Sequence, residues 1–185
     1  MGRRRAVLTR EQKRPLALIA VSQLLAMSLW FSATAVATQL VAEWGLSPAG
    51  EAGLTLAVQI GFVVGALTLA VLNVADIVPS RRLFLVAAMT GAAANLGLLM
   101  VTTSSAWLAF VLRAATGFAL AGVYPAGLKV MAGWFKEGRG LALGVLVGAL
   151  TIGSASPHLI RGVGIDWEGV IVAASALTVG AGVMM

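Results

Sequence analysis

Residues 107–131, WLAFVLRAATGFALAGVYPAGLKVM, decide the fold. They are apolar for 25 positions, longer than the roughly 20 residues a helix needs to cross a bilayer. Arg113 nevertheless stands well inside them. Residues 132–139 (AGWFKEGR) form a short polar break, and 140–160 (GLALGVLVGALTIGSASPHLI) run apolar again, with Gly140, Gly144 and Gly148 four apart. Two apolar spans joined by a basic loop predict a helical hairpin through a membrane. An arginine inside such a span must be compensated by protein or water, so it is a functional-site hypothesis.

The rest of the chain extends this pattern. Of 185 residues, 59% are hydrophobic and 11% charged, and the mean hydropathy is +0.96; a soluble domain carries about 25% charged residues. The composition is that of an integral membrane protein, with the lipid bilayer as its first partner. Cysteine is absent, which excludes disulfides, thiolate metal sites and cysteine nucleophiles. One histidine and seven acids, mostly in loops, leave no metal-ligand cluster, and no cofactor is expected. The charge of +6 could suggest nucleic acid, but ten of the thirteen Lys and Arg lie in three loops. That is a topology signal, and no nucleic-acid partner is expected.

Six spans are predicted: 16–42, 53–74, 83–103, 107–131, 140–160 and 169–185, the last ending inside its apolar run. Residues 1–15 are a basic tail, and 16–185 are the helical bundle. A signal peptide ending near Ala35-Val36-Ala37 is the rival reading of the first span. Its apolar stretch exceeds the roughly 7–15 residues of a signal core, however. Lys and Arg number six in the tail, none in 43–52, two in 75–82, none in 104–106, two in 132–139 and one in 161–168. This alternation predicts a multi-pass protein of the cell membrane with its N-terminus cytoplasmic. Val64-Gly65-Ala66-Leu67-Thr68 recurs as Val147-Gly148-Ala149-Leu150-Thr151, and the same offset puts Gly61 on Gly144. The two segments run in opposite directions through the membrane. All-α architecture in two inverted three-helix repeats follows, an arrangement found in secondary transporters.

Candidate residues fall into three groups. Gly61, Gly65, Gly117, Gly140, Gly144 and Gly148 are helix-packing candidates, because small residues let backbones approach in lipid. Arg113 lies about 9 Å down its helix from Trp107. It either braces neighbouring carbonyls or faces a central cavity, where it would bind an anion or couple protons. Lys129 reads as a side chain whose stem reaches headgroups. Pro125, after Tyr124, removes a backbone hydrogen bond and makes this turn a cavity-wall candidate. Gln23, Trp30, Phe31, Ser32 and Thr34 bring neutral hydrogen-bonding groups beside aromatics, as a solute cavity wants and as interhelical contacts equally use. Ser154, Ser156 and His158 share one helix with no oxyanion-forming partner, which argues against a catalytic triad; no enzyme is expected.

On these residues the chain resembles the N-terminal half of a major facilitator superfamily transporter. The loop Asp76-Ile-Val-Pro-Ser-Arg81-Arg82 is similar to that family's signature of an aspartate, a glycine and a basic cluster. Here Pro79 takes the glycine slot, Ser80 one basic slot, and Leu72 the place of an earlier glycine. Arg113-x-x-x-Gly117 with Ala121-Gly122 matches the fourth-span signature. Tyr124-Pro125-Ala126, Trp134-Phe135 and Arg139-Gly140-x-Ala142-x-Gly144 resemble branches carrying organic anions, phosphate esters and nitrate, although Gly138 replaces a glutamate. The second span lacks the substrate arginine of nitrate porters, and Ser156-Pro157 stands where drug antiporters carry Gly-Pro.

The resemblance implies alternating access between two six-helix halves, the C-terminal one being a partner missing from this sequence. It implies a small-molecule substrate, with an anion moved by proton-coupled symport as one expectation. Arg113, Tyr124, Gln23, Trp30 and Phe31 are then the substrate or coupling candidates. It also assigns a conformational gate to Asp76, Arg81 and Arg82, with Arg139 in the second basic loop added to them. A multidrug or metabolite efflux antiporter and a non-transporting accessory subunit remain as alternatives.

Overall fold

The computed structural model describes residues 10–135 and 138–185. Most of the predicted basic tail, and Lys136 and Glu137 of the second basic loop, lie outside the described residues. Those residues form helices α1 (Arg10–Ala35), α2 (Ala37–Trp44), α3 (Pro48–Val71), α4 (Val74–Ile77), α5 (Ser80–Leu96), α6 (Ala106–Trp134), α7 (Arg139–Gly162) and α8 (Trp167–Met184), with two short 3₁₀ turns after α5. Six segments are long and apolar enough to cross a membrane, and they correspond to the six predicted spans.

The boundaries have local causes. Ser47 accepts a hydrogen bond from the Gly50 amide at 3.2 Å, and Pro48 and Glu51 fill the first turn of α3. This is the cap, proline and acid expected at a helix N-terminus. Asn73 in the left-handed region, φ 50°, separates α3 from the single turn of α4. The first span departs from expectation in two ways. Its helix begins at Arg10, inside the stretch expected as tail, and it breaks at Val36 between α1 and α2. No proline or glycine stands at the break. The amides of Gln39 and Leu40 both turn to the Val36 carbonyl, so the Ala35 carbonyl loses its usual helical donor. Arg161 Nη1 fills that place at 2.8 Å, and its Nη2 reaches Thr38 Oγ1 at 3.2 Å.

Packing follows the inverted repeat. α3 lies along α6, and α1 along α7; α5 lies on α6, and α8 on α1; α5 meets α8, and α1 meets α6. Exchanging α1, α3 and α5 for α6, α7 and α8 turns each of these contacts into another of the set. The core runs the length of the bundle in three groups. One holds Leu40, Trp44, Leu98 and Ile171, the next Leu29, Phe84 and Leu120, and the last Ile19, Met131, Phe135 and Leu146. Consequently α1, α5, α6 and α8 are held on several sides. The helices α3 and α7 each rest mainly on one neighbour, and expose Val63, Val64 and Leu67, and Val147 and Ile152.

The tightest crossing is between α3 and α6. A side-chain carbon on Gly61 would overlap the Ala114 carbonyl, and one on Gly117 would overlap the Val58 carbonyl. Gly65 lies against the Phe118 backbone, its absent Cβ 2.7 Å from that carbonyl. Gly140, Gly144 and Gly148 behave otherwise: nothing in the described residues stands within 4 Å of a Cβ built on any of them. Among the described residues these three make no close helix contact. The glycine that seats α7 is Gly153, whose missing Cβ would stand 2.5 Å from the Leu24 carbonyl of α1. The sequence repeat that aligns Gly144 with Gly61 does not carry the same contact.

Candidate functional site

An open cavity of about 570 Å³ lies where the first and second halves of the bundle meet. α1 supplies Met27, Trp30 and Phe31; α3 supplies Gln59 and Phe62; α6 supplies Tyr124; α7 supplies Leu150, Thr151 and Ser154. Its volume is in the range of ordinary ligand pockets, about 300–1,000 Å³. The rings of Trp30 and Phe62 meet edge to face with centroids 5.1 Å apart, and Phe31 is tilted against Trp30 at 6.4 Å. Such edge contacts pair a ring's positive rim with a negative face. Trp30, Phe31 and Tyr124, three of the candidates from sequence, are among its lining residues; Gln59, Phe62 and Thr151 were not singled out. Aromatic and hydroxyl residues are common in apolar spans, so only the fold reveals which of them share a face.

Arg113 and Gln23 do not line this cavity. Arg113 is fully buried. Its Nη1 donates to the Leu29 carbonyl at 3.4 Å and its Nη2 to the Trp30 carbonyl at 2.6 Å. In this geometry the guanidinium braces two carbonyls of α1. Burial in low dielectric demands hydrogen bonds for a charge; two backbone carbonyls of α1 serve its terminal nitrogens, while the buried Nε has no partner among the described residues. Gln23 is also fully buried, with Oε1 filling the space beside Gly127. Neither of its amide atoms has a partner among the described residues.

Ser32 likewise turns inward. It shares a buried cluster with Asn95 and Ser175: Ser32 Oγ stands 3.0 Å from Asn95 Oδ1, and Asn95 Nδ2 donates to Ser175 Oγ at 3.1 Å. This ties α1, α5 and α8 together by polar contacts, the interhelical use that the sequence left open. Asn95 was missed, although a lone amide in the apolar run of the third span was its signal.

The gate candidates separate. Asp76 pairs with Lys129, Nζ to Oδ1 at 2.8 Å, and the same ammonium donates to the Ala75 carbonyl. Lys129, read from sequence as reaching headgroups, bridges the α3–α5 loop to the end of α6 instead. The hydrogen bond from Lys129, and then its charge, hold the Asp76 carboxyl below its ordinary value of 3.8. Arg81 lies at the same end in a second cavity with Arg14, Trp134 and Met184. Arg82 is exposed. Arg139 donates from Nε to the Phe135 carbonyl at 3.2 Å across the start of its own helix. No salt bridge joins Arg81, Arg82 or Arg139 to Asp76 among the described residues. At the opposite end, Trp44 and Trp167 meet edge to face at 5.7 Å. No cluster of three or more metal-ligating side chains occurs among the described residues.

Residues 18–185 match the family model described as Major Facilitator Superfamily. No match was found among curated proteins. The match spans the six membrane helices and the cavity between them.

Proposed function

The chain belongs to the major facilitator superfamily, a family of membrane transporters, and from that premise we propose that it is one half of a secondary active transporter working by alternating access. The observation that carries the proposal is the cavity itself. It draws walls from both inverted repeats, α1 and α3 on one side and α6 and α7 on the other, and sets neutral polar groups among aromatic rings. Rocking of this six-helix half against a second one would change which end of that cavity is open, the movement associated with folds built from such repeats.

Orientation is part of the proposal. The end with Arg14, Arg81 and Lys129 is assigned to the cytoplasm by the positive-inside rule, and the end with Trp44 and Trp167 to the outside of the plasma membrane. We assign the exposed faces of α3 and α7, including the open side of Gly140, Gly144 and Gly148, to contact with a C-terminal six-helix half. Proton-coupled anion symport, expected from Arg113, has little support here, since that guanidinium is engaged by carbonyls. The alternative of an accessory subunit draws on the same exposed faces.

The absence of cysteine makes the test direct. Met27→Cys on α1 and Ser154→Cys on α7 both line the cavity, on walls from different repeats. An impermeant maleimide is applied to right-side-out and inside-out vesicles holding the full chain. An alternating cavity exposes each thiol to both faces in turn, so both variants should label from either side. Labelling from one face only would reject transport and leave the accessory reading.

A further inference from the structure

The α7 wall of the cavity is built to accept hydrogen bonds. Thr151 Oγ1 donates to the Val147 carbonyl at 3.1 Å, and Ser154 Oγ donates to the Thr151 carbonyl at 2.6 Å. A hydroxyl has one proton and two lone pairs. With each proton engaged by the helix backbone, both hydroxyls turn only lone pairs toward the cavity. Across from them stand the rings of Trp30 and Phe62, a flat apolar surface.

Charge points the same way. No Lys, Arg or His lines the cavity among the described residues. The cation buried beside it, Arg113, directs its two terminal nitrogens into α1 carbonyls. An anion entering here would lose water and meet acceptor lone pairs, an arrangement that disfavours it. A solute with N–H or O–H groups meets the acceptors it needs, and its ring has an aromatic face to lie on. A positive charge on such a solute is tolerated as well, since aromatic faces attract cations.

From these contacts we infer that the solute is a non-anionic organic molecule with a flat apolar ring and at least one hydrogen-bond donor. The inference rests on the transport reading above, because it takes this cavity as the solute's site. Gln59 and Tyr124 can donate or accept, and they set orientation without deciding the class.

The test uses three probes sharing one ring: tryptophol (neutral), tryptamine (cationic) and indole-3-acetate (anionic). Binding of each to the full chain in lipid nanodiscs is measured by equilibrium dialysis. Tryptophol and tryptamine should bind at least tenfold more tightly than indole-3-acetate. Thr151→Val removes an acceptor from an exposed position without disturbing the core, and should weaken tryptophol and tryptamine several-fold while leaving the acetate unchanged. Equal or tighter binding of the acetate overturns the inference, as does failure of all three to bind. Cysteine labelling from both faces together with preference for the acetate would reject the solute class and leave transport standing. One-sided labelling would reject transport itself.

Discussion

Arg113 Nη2 donates to the carbonyl of Trp30 at 2.6 Å, so a buried cation on α6 fixes the residue whose ring forms the cavity's aromatic wall. The relationship makes Arg113 a positioning residue. Arg113→Met keeps most of the volume and removes the charge. The Leu29 and Trp30 carbonyls lose their charged donor, so a loss of about 1–3 kcal/mol in thermal unfolding is expected. Trp30 should loosen, seen as greater acrylamide quenching in a chain whose other tryptophans are replaced by phenylalanine. Binding of tryptophol and indole-3-acetate should fall together. Selective loss of the acetate alone would put the guanidinium back in the solute site.

The two sets of glycines make opposite predictions. Gly61→Ala and Gly117→Ala each drive a methyl into a backbone carbonyl of the facing helix, which cannot move aside as a side chain can. The α3–α6 crossing must open, and a loss of about 2 kcal/mol or more is expected, as for overpacking elsewhere. Gly144→Ala and Gly148→Ala meet open space and gain helix propensity worth about 0.5–1 kcal/mol. Thermal unfolding of the isolated chain should show no loss for either. If a C-terminal half covers that face, these same two alanines should impair association with it. Destabilisation of the isolated chain by Gly144→Ala would contradict the open face.

Which of these features were legible beforehand follows from what one-dimensional pattern can carry. Span length and the grouping of charge in loops survive in any arrangement of the helices, so all six spans and their order could be read. Rotation about each helix axis could not. The apolar faces of a membrane helix differ little between lipid and protein, so the GxxxG-like spacing at 140, 144 and 148 looked the same as that at 61 and 65. Only the neighbouring backbone distinguishes them. Arg113 was recognised as exceptional because charge is costly in lipid. Its direction depended on carbonyls 83 and 84 positions away in the chain, for which no local signal exists. The break at Val36 was invisible for the same reason. Its compensating donor, Arg161, had read as an ordinary residue of an external loop.

Arg161 therefore supports a further prediction. Its guanidinium serves the Ala35 carbonyl and Thr38 Oγ1 where α1 gives way to α2. Arg161→Gln should cost about 1–3 kcal/mol, the usual penalty for leaving a partly buried acceptor without its charged donor. The effect should be local. Hydrogen exchange should speed up at residues 36–40 and remain unchanged in α5, which Arg161 does not touch. Thr38→Ala should reproduce only a small part of it, since the carbonyl keeps its donor. Uniform acceleration across the bundle would mean that Arg161 stabilises the whole fold and not the break.

The Asp76–Lys129 pair should control conformation and leave stability nearly untouched. Both side chains are largely in water, 77% and 49% exposed, where screening leaves ion pairs weak. Lys129 lowers the Asp76 pKa. The pair's contribution is therefore complete above the ordinary carboxylate value of 3.8 and disappears as pH falls through the depressed value of the folded protein. Between pH 7 and 5, labelling of a Val130→Cys thiol at this end of α6 should not change with pH on account of this pair. Asp76→Asn removes the carboxylate at every pH, and at pH 7 it should alter that labelling several-fold as the α3–α5 loop leaves α6. The double exchange Asp76→Lys with Lys129→Asp should restore most of the parental rate, because two exposed and oppositely charged side chains can trade places. If Asp76→Asn labels like the parent, the contact does not gate this end. If the exchange fails to rescue, the bond from Lys129 to the Ala75 carbonyl matters more than the charge pair.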